Sequence, residues 1–226
     1  MHYPANCKYT LLMASLPPHK NKLFDEELVP LSRIQLNKRL ALLDKKDTAD
    51  LQKIESLLHW SHMKEDVDHI FVAQTLNSIE SIDSIFIKNI VIWRLELRVI
   101  LAALRMRHKG LKQPPDSKFL DFDYWHFFIS NYWHEPDFGL SKQLPWLLDA
   151  NTLLLENNSY QLEKLLFNVV WEHYHRQNFG HYFNFEAVII YVLRWDIVSR
   201  WRNNSSTLAL KRFKDLVDTG LENIDL

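Results

Sequence analysis

Residues 85–108 run without a proline or glycine, and Gly110 and the pair Pro114-Pro115 follow at once. A stretch of that length, with Asp83 or Ser84 as a cap before it and a glycine stop after it, reads as one helix about 36 Å long. Four glycines in 226 residues leave few places for tight backbone reversals, and no Asn-Gly or Asp-Gly hairpin turn occurs. The expected fold is mostly α: a multi-helix bundle of two packed lobes with this long helix at the centre.

Apolar residues at helical intervals mark further helices over 31–43, capped by Ser32, and over 48–60, through Leu51, Ile54, Leu57 and Leu58. Similar patterns cover 66–81, 119–133, 147–155, 159–176, a helix starting at Asn184 or Phe185 and reaching Trp201, and 207–217. The opening run Tyr9-Thr-Leu-Leu-Met-Ala-Ser-Leu16 ends at Pro17-Pro18, and its β-capable residues predict a short extended N-terminal segment. Polar residues 113–118, with prolines inside and a glycine nearby, are the best linker, so an N-terminal helical lobe over 1–112 that ends in the long helix and an aromatic-rich C-terminal lobe over 113–226 are expected, with one continuous domain as the alternative. Six of the eight tryptophans, Trp125, Trp133, Trp146, Trp171, Trp195 and Trp201, belong to that second part, where packing accounts for them.

Glycine scarcity also removes function classes. Gly110, Gly139, Gly180 and Gly220 are isolated from one another, so neither a P-loop nor a dinucleotide fingerprint can form. The single Cys7 excludes an internal disulfide and an all-cysteine zinc site, and fits a reducing compartment; with no legible signal peptide, the cytoplasm is the expected location. The most apolar stretch, 187–193, is closed by Glu186 and Arg194, far short of the roughly 20 residues that cross hydrocarbon. A net charge of −1 supplies no overall positive field, so nucleic acid is not an expected partner and any charged contact must be local.

Three features invite chemistry. On the long helix Arg94, Arg98, Arg105 and Lys109 fall within about 60° of one another, a basic stripe that either grips something acidic, lies solvated, or pairs with carboxylates elsewhere in the fold. Glu186 shares the line of Ile190, Leu193 and Ile197 and is expected to face the core, with an arginine of the long helix as its partner; a buried acid or base is the catalytic alternative. His173, His175 and His181 with Glu172 form a local imidazole cluster. Residues two apart on a helix point about 200° from each other, so His173 and His175 share no face and no metal site is expected.

Together with the order of elements, two stretches carry a resemblance. Residues 8–17, Lys-Tyr-Thr-Leu-Leu-Met-Ala-Ser-Leu-Pro, and 185–201, from Phe185-Glu186 through Tyr191 to Arg200-Trp201, resemble the opening and closing signatures of a family of uncharacterised bacterial proteins encoded with V-type (A/V-type) ATPase subunits. Between them Trp93-Arg-Leu-Glu-Leu-Arg98 stands where that family has an arginine-rich long helix. Tyr9, Ser15, Leu16, Pro17, Arg94, Glu96, Arg98, Glu186, Tyr191, Arg200 and Trp201 match residue by residue. The resemblance implies a helical, non-enzymatic component of a rotary ATPase in the place of the connecting (C/d-like) subunit. It implies central-stalk and membrane-ring subunits as partners, no cofactor or small-molecule substrate, and a cytoplasmic location peripheral to the inner membrane through those partners. Archaeal and eukaryotic connecting subunits are similarly helical and lobed but considerably longer. A stand-alone adaptor or assembly factor, and an enzyme of unknown chemistry, are the competing classes.

Overall fold

The computed structural model describes residues 7–24, 31–58, 79–114 and 123–204. Among them eight helices and no strand occur: α1 (Thr10–Ser15), α2 (Arg33–Leu40), α3 (Lys45–Leu58), α4 (Ile85–His108), α5 (Asp123–Asn131), α6 (Trp146–Leu155), α7 (Ser159–Gln177) and α8 (Phe185–Asn204). The chain is mostly α, as its periodicity predicts. The expected helix over 207–217 lies outside the described residues, as do nearly all of the one over 66–81 and most of the linker over 113–118.

Local chemistry sets the helix ends. Ser32 and Gln35 bond reciprocally, Gln35 N–H to Ser32 Oγ at 3.2 Å and Ser32 N–H to Gln35 Oε1 at 3.2 Å, which satisfies two otherwise orphan donors at the start of α2. Asp44 accepts from Asp47 N–H at 2.8 Å before α3, and Asn158 from Gln161 N–H at 3.2 Å before α7. Ser84 caps α4 through Ile87 N–H at 3.5 Å. At the other end of α4, Gly110 adopts φ +96°, its N–H bonds Arg107 O at 3.0 Å, and Leu111 N–H reaches Met106 O at 3.2 Å. That left-handed turn closes the last carbonyls, and a residue with a Cβ adopts it only under strain.

One expectation is corrected. The segment from Tyr9 to Leu16 is not strand-like: residues 10–15 are helical, and only from Leu16 does the backbone extend, at φ −88° and ψ 131°. Tyr9, Leu12 and Leu16 are buried, at spacings of three and four, so the apolar pattern is that of a helix face. The two prolines still do what they must and end the regular structure.

Contacts divide the chain into two compact units, one formed by residues 1–40 and 173–226, the other by 41–172. The first therefore unites the two ends of the chain, a different partition from 1–112 and 113–226. In it α8 is the core: nine successive residues from Ala187 to Trp195 are buried, as in a helix enclosed on every side. In the second unit α4 is central and packs against α3, α5 and α6. Its buried Ile87, Ile90, Val91, Leu95, Leu97, Ile100, Leu101 and Leu104 supply the apolar face.

Candidate functional site

In the first unit the N-terminal segment is strapped along α8. A segment starting Pro17-Pro18 has no N–H at either residue and, being extended, leaves its carbonyls without internal partners. Side chains of α8 meet them. Tyr191 donates its hydroxyl to Pro17 O at 3.0 Å, Arg194 Nη2 donates to Lys20 O at 3.2 Å, and Trp195 Nε1 donates to Leu31 O at 2.8 Å. These three positions are i, i+3 and i+4, one face of the helix. His19 completes the clasp: its ring stacks on Tyr191 with centroids 4.2 Å apart, and Nε2–H donates to Tyr191 O at 3.0 Å. Burial, opposed in part by that backbone bond and assisted by nearby Arg194, lowers the His19 pKa to about 4, while burial pushes the Tyr191 hydroxyl up to about 12.

Both ends of the strap are fixed as well. Tyr9 N–H donates to Phe183 O at 2.7 Å, and the Tyr9 and Phe185 rings lie 6.4 Å apart. Farther along, Phe24 meets Trp201 edge-on at 4.7 Å, and the Arg33 guanidinium lies over the Trp195 ring at 5.6 Å. Arg39 closes the end of α1 by donating to Ser15 O at 3.0 Å. Thus Tyr9, Pro17, Tyr191 and Trp201, drawn from the two signature ends of the sequence, occupy one packed structure. Arg200 pairs with Asp196 at 3.0 Å one turn away on α8 itself. Glu186 is half-buried in the first turn of α8, where a carboxylate faces the positive end of the helix dipole; it is not among the enclosed side chains that begin at Ala187.

The arginines of α4 belong to the second unit and do not act as one stripe. Arg94 is buried, with 2% of its surface exposed, whereas Arg105 is exposed. Arg98 donates to Leu57 O at 2.9 Å and to Leu58 O, so it satisfies the last carbonyls of α3, where a cation also complements the helix dipole. A fourth arginine lies outside the stripe and was passed over by sequence reasoning. Arg107 donates to Trp133 O at 2.9 Å, Glu135 O, Pro136 O at 2.8 Å and Asn151 Oδ1 at 2.8 Å, and lies 4.4 Å from the Phe138 ring centroid. It organises the turn over 132–144, where Asp137 accepts from the N–H groups of Gly139 at 3.1 Å and Ser141 at 3.0 Å. Phe138, at φ 51°, and Gly139, at φ 70°, give that turn its left-handed step. Proline brackets at Pro136 and Pro145, which make 136–145 irregular, are the one sequence signal that a nearby cation would have carbonyls to bind.

His173 is half-buried and His175 exposed on α7; His181 sits in the loop before α8, where its Nδ1 and Asn184 Nδ2 lie 2.8 Å apart. Among the described residues no three of His, Cys, Asp and Glu converge on one point. No helix there is long and apolar enough to cross a membrane.

A family model matches residues 10–223, from the first residue of α1 to beyond α8. The chain belongs to the DUF2764 family. That family is described only as proteins of unknown function. No curated protein and no solved structure matches the chain.

Proposed function

We propose that this DUF2764 chain is a non-catalytic helical component of a bacterial V-type rotary ATPase that links the central stalk to the membrane ring. The supporting observation is the clasp. The stretches that carry the resemblance, 8–17 and 185–201, are far apart in sequence yet meet through the Tyr191 hydroxyl on Pro17 O and the Tyr9 and Phe185 rings. A segment held through backbone carbonyls by side chains of an enclosed helix suits a part that bears load rather than one that turns over substrate. Stiffness also follows from composition, because helices nearly free of glycine have few hinges. Under this reading Arg98 and Arg107 are structural, their donors directed at backbone carbonyls.

Isolation of the tagged chain from its native host tests the proposal. Co-purification of central-stalk and ring subunits at fixed stoichiometry supports it. Recovery of those subunits only during assembly assigns the chain to the stand-alone assembly-factor class, and recovery of none of them overturns the reading.

A further inference from the structure

The chain passes from the unit that holds residues 1–40 to the unit of residues 41–172 at the turn between α2 and α3, residues 41–44. Nothing in that turn breaks a helix. Of the four helix connections described in full, the one before α6 contains Pro136, Gly139 and Pro145, the one before α7 has Asn157 at φ 55°, and the one before α8 has Gly180 at φ +86°. Ala41-Leu42-Leu43-Asp44 has neither glycine nor proline and no positive φ, and Ala and Leu are among the best helix formers. Local preference therefore favours one helix where the fold has two.

The apolar pattern agrees. Leu36, Leu40, Leu43, Leu51, Ile54 and Leu58 are buried and, at about 100° per residue, fall within about 80° of one another with Asp47 on the same line, so a helix running through 33–58 keeps them on one face. The break is favoured by Asp44, whose Oδ1 accepts from Asp47 N–H at 2.8 Å, a cap that exists only where a helix begins. Ahead of the turn, Arg39 donates to Ser15 O at 3.0 Å and ties α2 to α1, so the residues before 41 form one arm. This arm meets the rest of its unit through bonds that a second copy can supply unchanged: Tyr9 N–H to Phe183 O, and Tyr191, Arg194 and Trp195 of α8 to the carbonyls of Pro17, Lys20 and Leu31. The other crossing between the units, at 172–173, lies inside α7, which is helical through it.

We infer that two copies of this chain exchange their N-terminal arms: α2, the turn and α3 join into one helix, and the arm of each copy lies along α8 of the other. Each bond of the clasp then forms between copies instead of within one, and the merged helix adds backbone bonds across 41–44. Exchange of an identical element calls for no surface that the monomer lacks, so protein concentration decides the balance between the two forms. The exchange involves copies of this chain alone and is independent of any rotary-ATPase partner.

Purified full-length protein is held in mild urea over a wide range of concentration, returned to buffer, and sized by gel filtration with light scattering. The expected result is a dimer whose share rises with concentration and which parts slowly on dilution, since separation requires the arms to leave α8. Dimers formed from a mixture of isotope-labelled and unlabelled chains are then cross-linked, and links from the arm to the α8 region should join labelled to unlabelled peptides. Ala41→Gly with Leu42→Gly, at two exposed positions, penalises the merged helix and should weaken dimerisation about tenfold or more. Asp44→Ala removes the cap that only the broken form has and should strengthen dimerisation about tenfold. Circular dichroism checks the folding of both, and either one alone reads the hinge. A chain that stays monomeric throughout, also as Asp44→Ala, overturns the inference. A dimer whose arm-to-α8 links all join peptides of one isotope overturns it as well, as does a dimer indifferent to both hinge changes. Because no ATPase subunit is present, none of these outcomes bears on co-purification with one.

Discussion

Acidification should loosen the N-terminal strap through one residue, His19. Its ring is stacked on Tyr191 and donates to the Tyr191 carbonyl, and burial lowers its pKa from 6.5 to about 4. In the unfolded chain the same imidazole titrates near its ordinary value. The native ring stays neutral while the unfolded one takes up a proton, so the unfolded state binds more protons throughout the interval from about 6.5 down to about 4. Stability is therefore full above that interval and falls as pH drops through it. Arg194, whose charge acts on the ring, stays a cation and the Tyr191 hydroxyl, pushed up to about 12, stays neutral over the whole range. At 1.36 kcal/mol per pKa unit the loss between about pH 7 and about pH 5 comes to about 2 kcal/mol. Urea unfolding of the wild type and of His19→Gln at both pH values isolates this share, since every other group titrates alike in the two proteins. The wild type should lose about 2 kcal/mol more than the variant over that step. Parallel losses would refute the reasoning, because they would mean that His19 is protonated as easily in the folded chain as in the unfolded one.

Three further outcomes follow from single contacts. Arg107→Met removes the guanidinium donors to Trp133 O, Pro136 O and Asn151 Oδ1, and should cost about 3 kcal/mol in denaturant unfolding, with Arg107→Lys recovering only part because an ammonium cannot span the same acceptors. Tyr191→Phe deletes one bond to Pro17 O and should cost about 1 kcal/mol, read as faster amide exchange confined to the strap. Gly110→Ala meets no neighbouring atom within 4 Å, so its cost, about 1 kcal/mol by thermal unfolding, reports the left-handed backbone alone.

How much was legible in the residues differs from element to element. The limits of α4 were readable because Ser84 and Gly110 act on the backbone within one turn of themselves, whatever the rest of the chain does. The same holds for Ser32 before α2. The segment over 9–16 misled because short apolar runs fit a strand and a buried helix equally well by composition. The spacing of Tyr9, Leu12 and Leu16 was the better guide. Arg98 stood in the basic stripe, for which an acidic ligand, solvation and carboxylate pairing were all open; its partners are carbonyls of α3, and nothing in a list of carboxylates points to those. Arg107 was missed because it stands apart from the stripe, and its acceptors are three carbonyls of the turn after α5 and the amide oxygen of Asn151 on α6, all more than twenty residues on.

By itself the amino-acid sequence determined the local matters: where backbone donors are capped, where glycine and proline stop a helix, and that the fold is mostly α. The tertiary structure alone decided that residues 7–24 lie along α8, and hence that the first unit is made from both chain ends. The physical reason is range. Caps and periodicity act over a few residues, whereas the pairing of Pro17 with Tyr191 spans 174 positions, and only burial of the enclosed face of α8 selects it from the many pairings that composition allows.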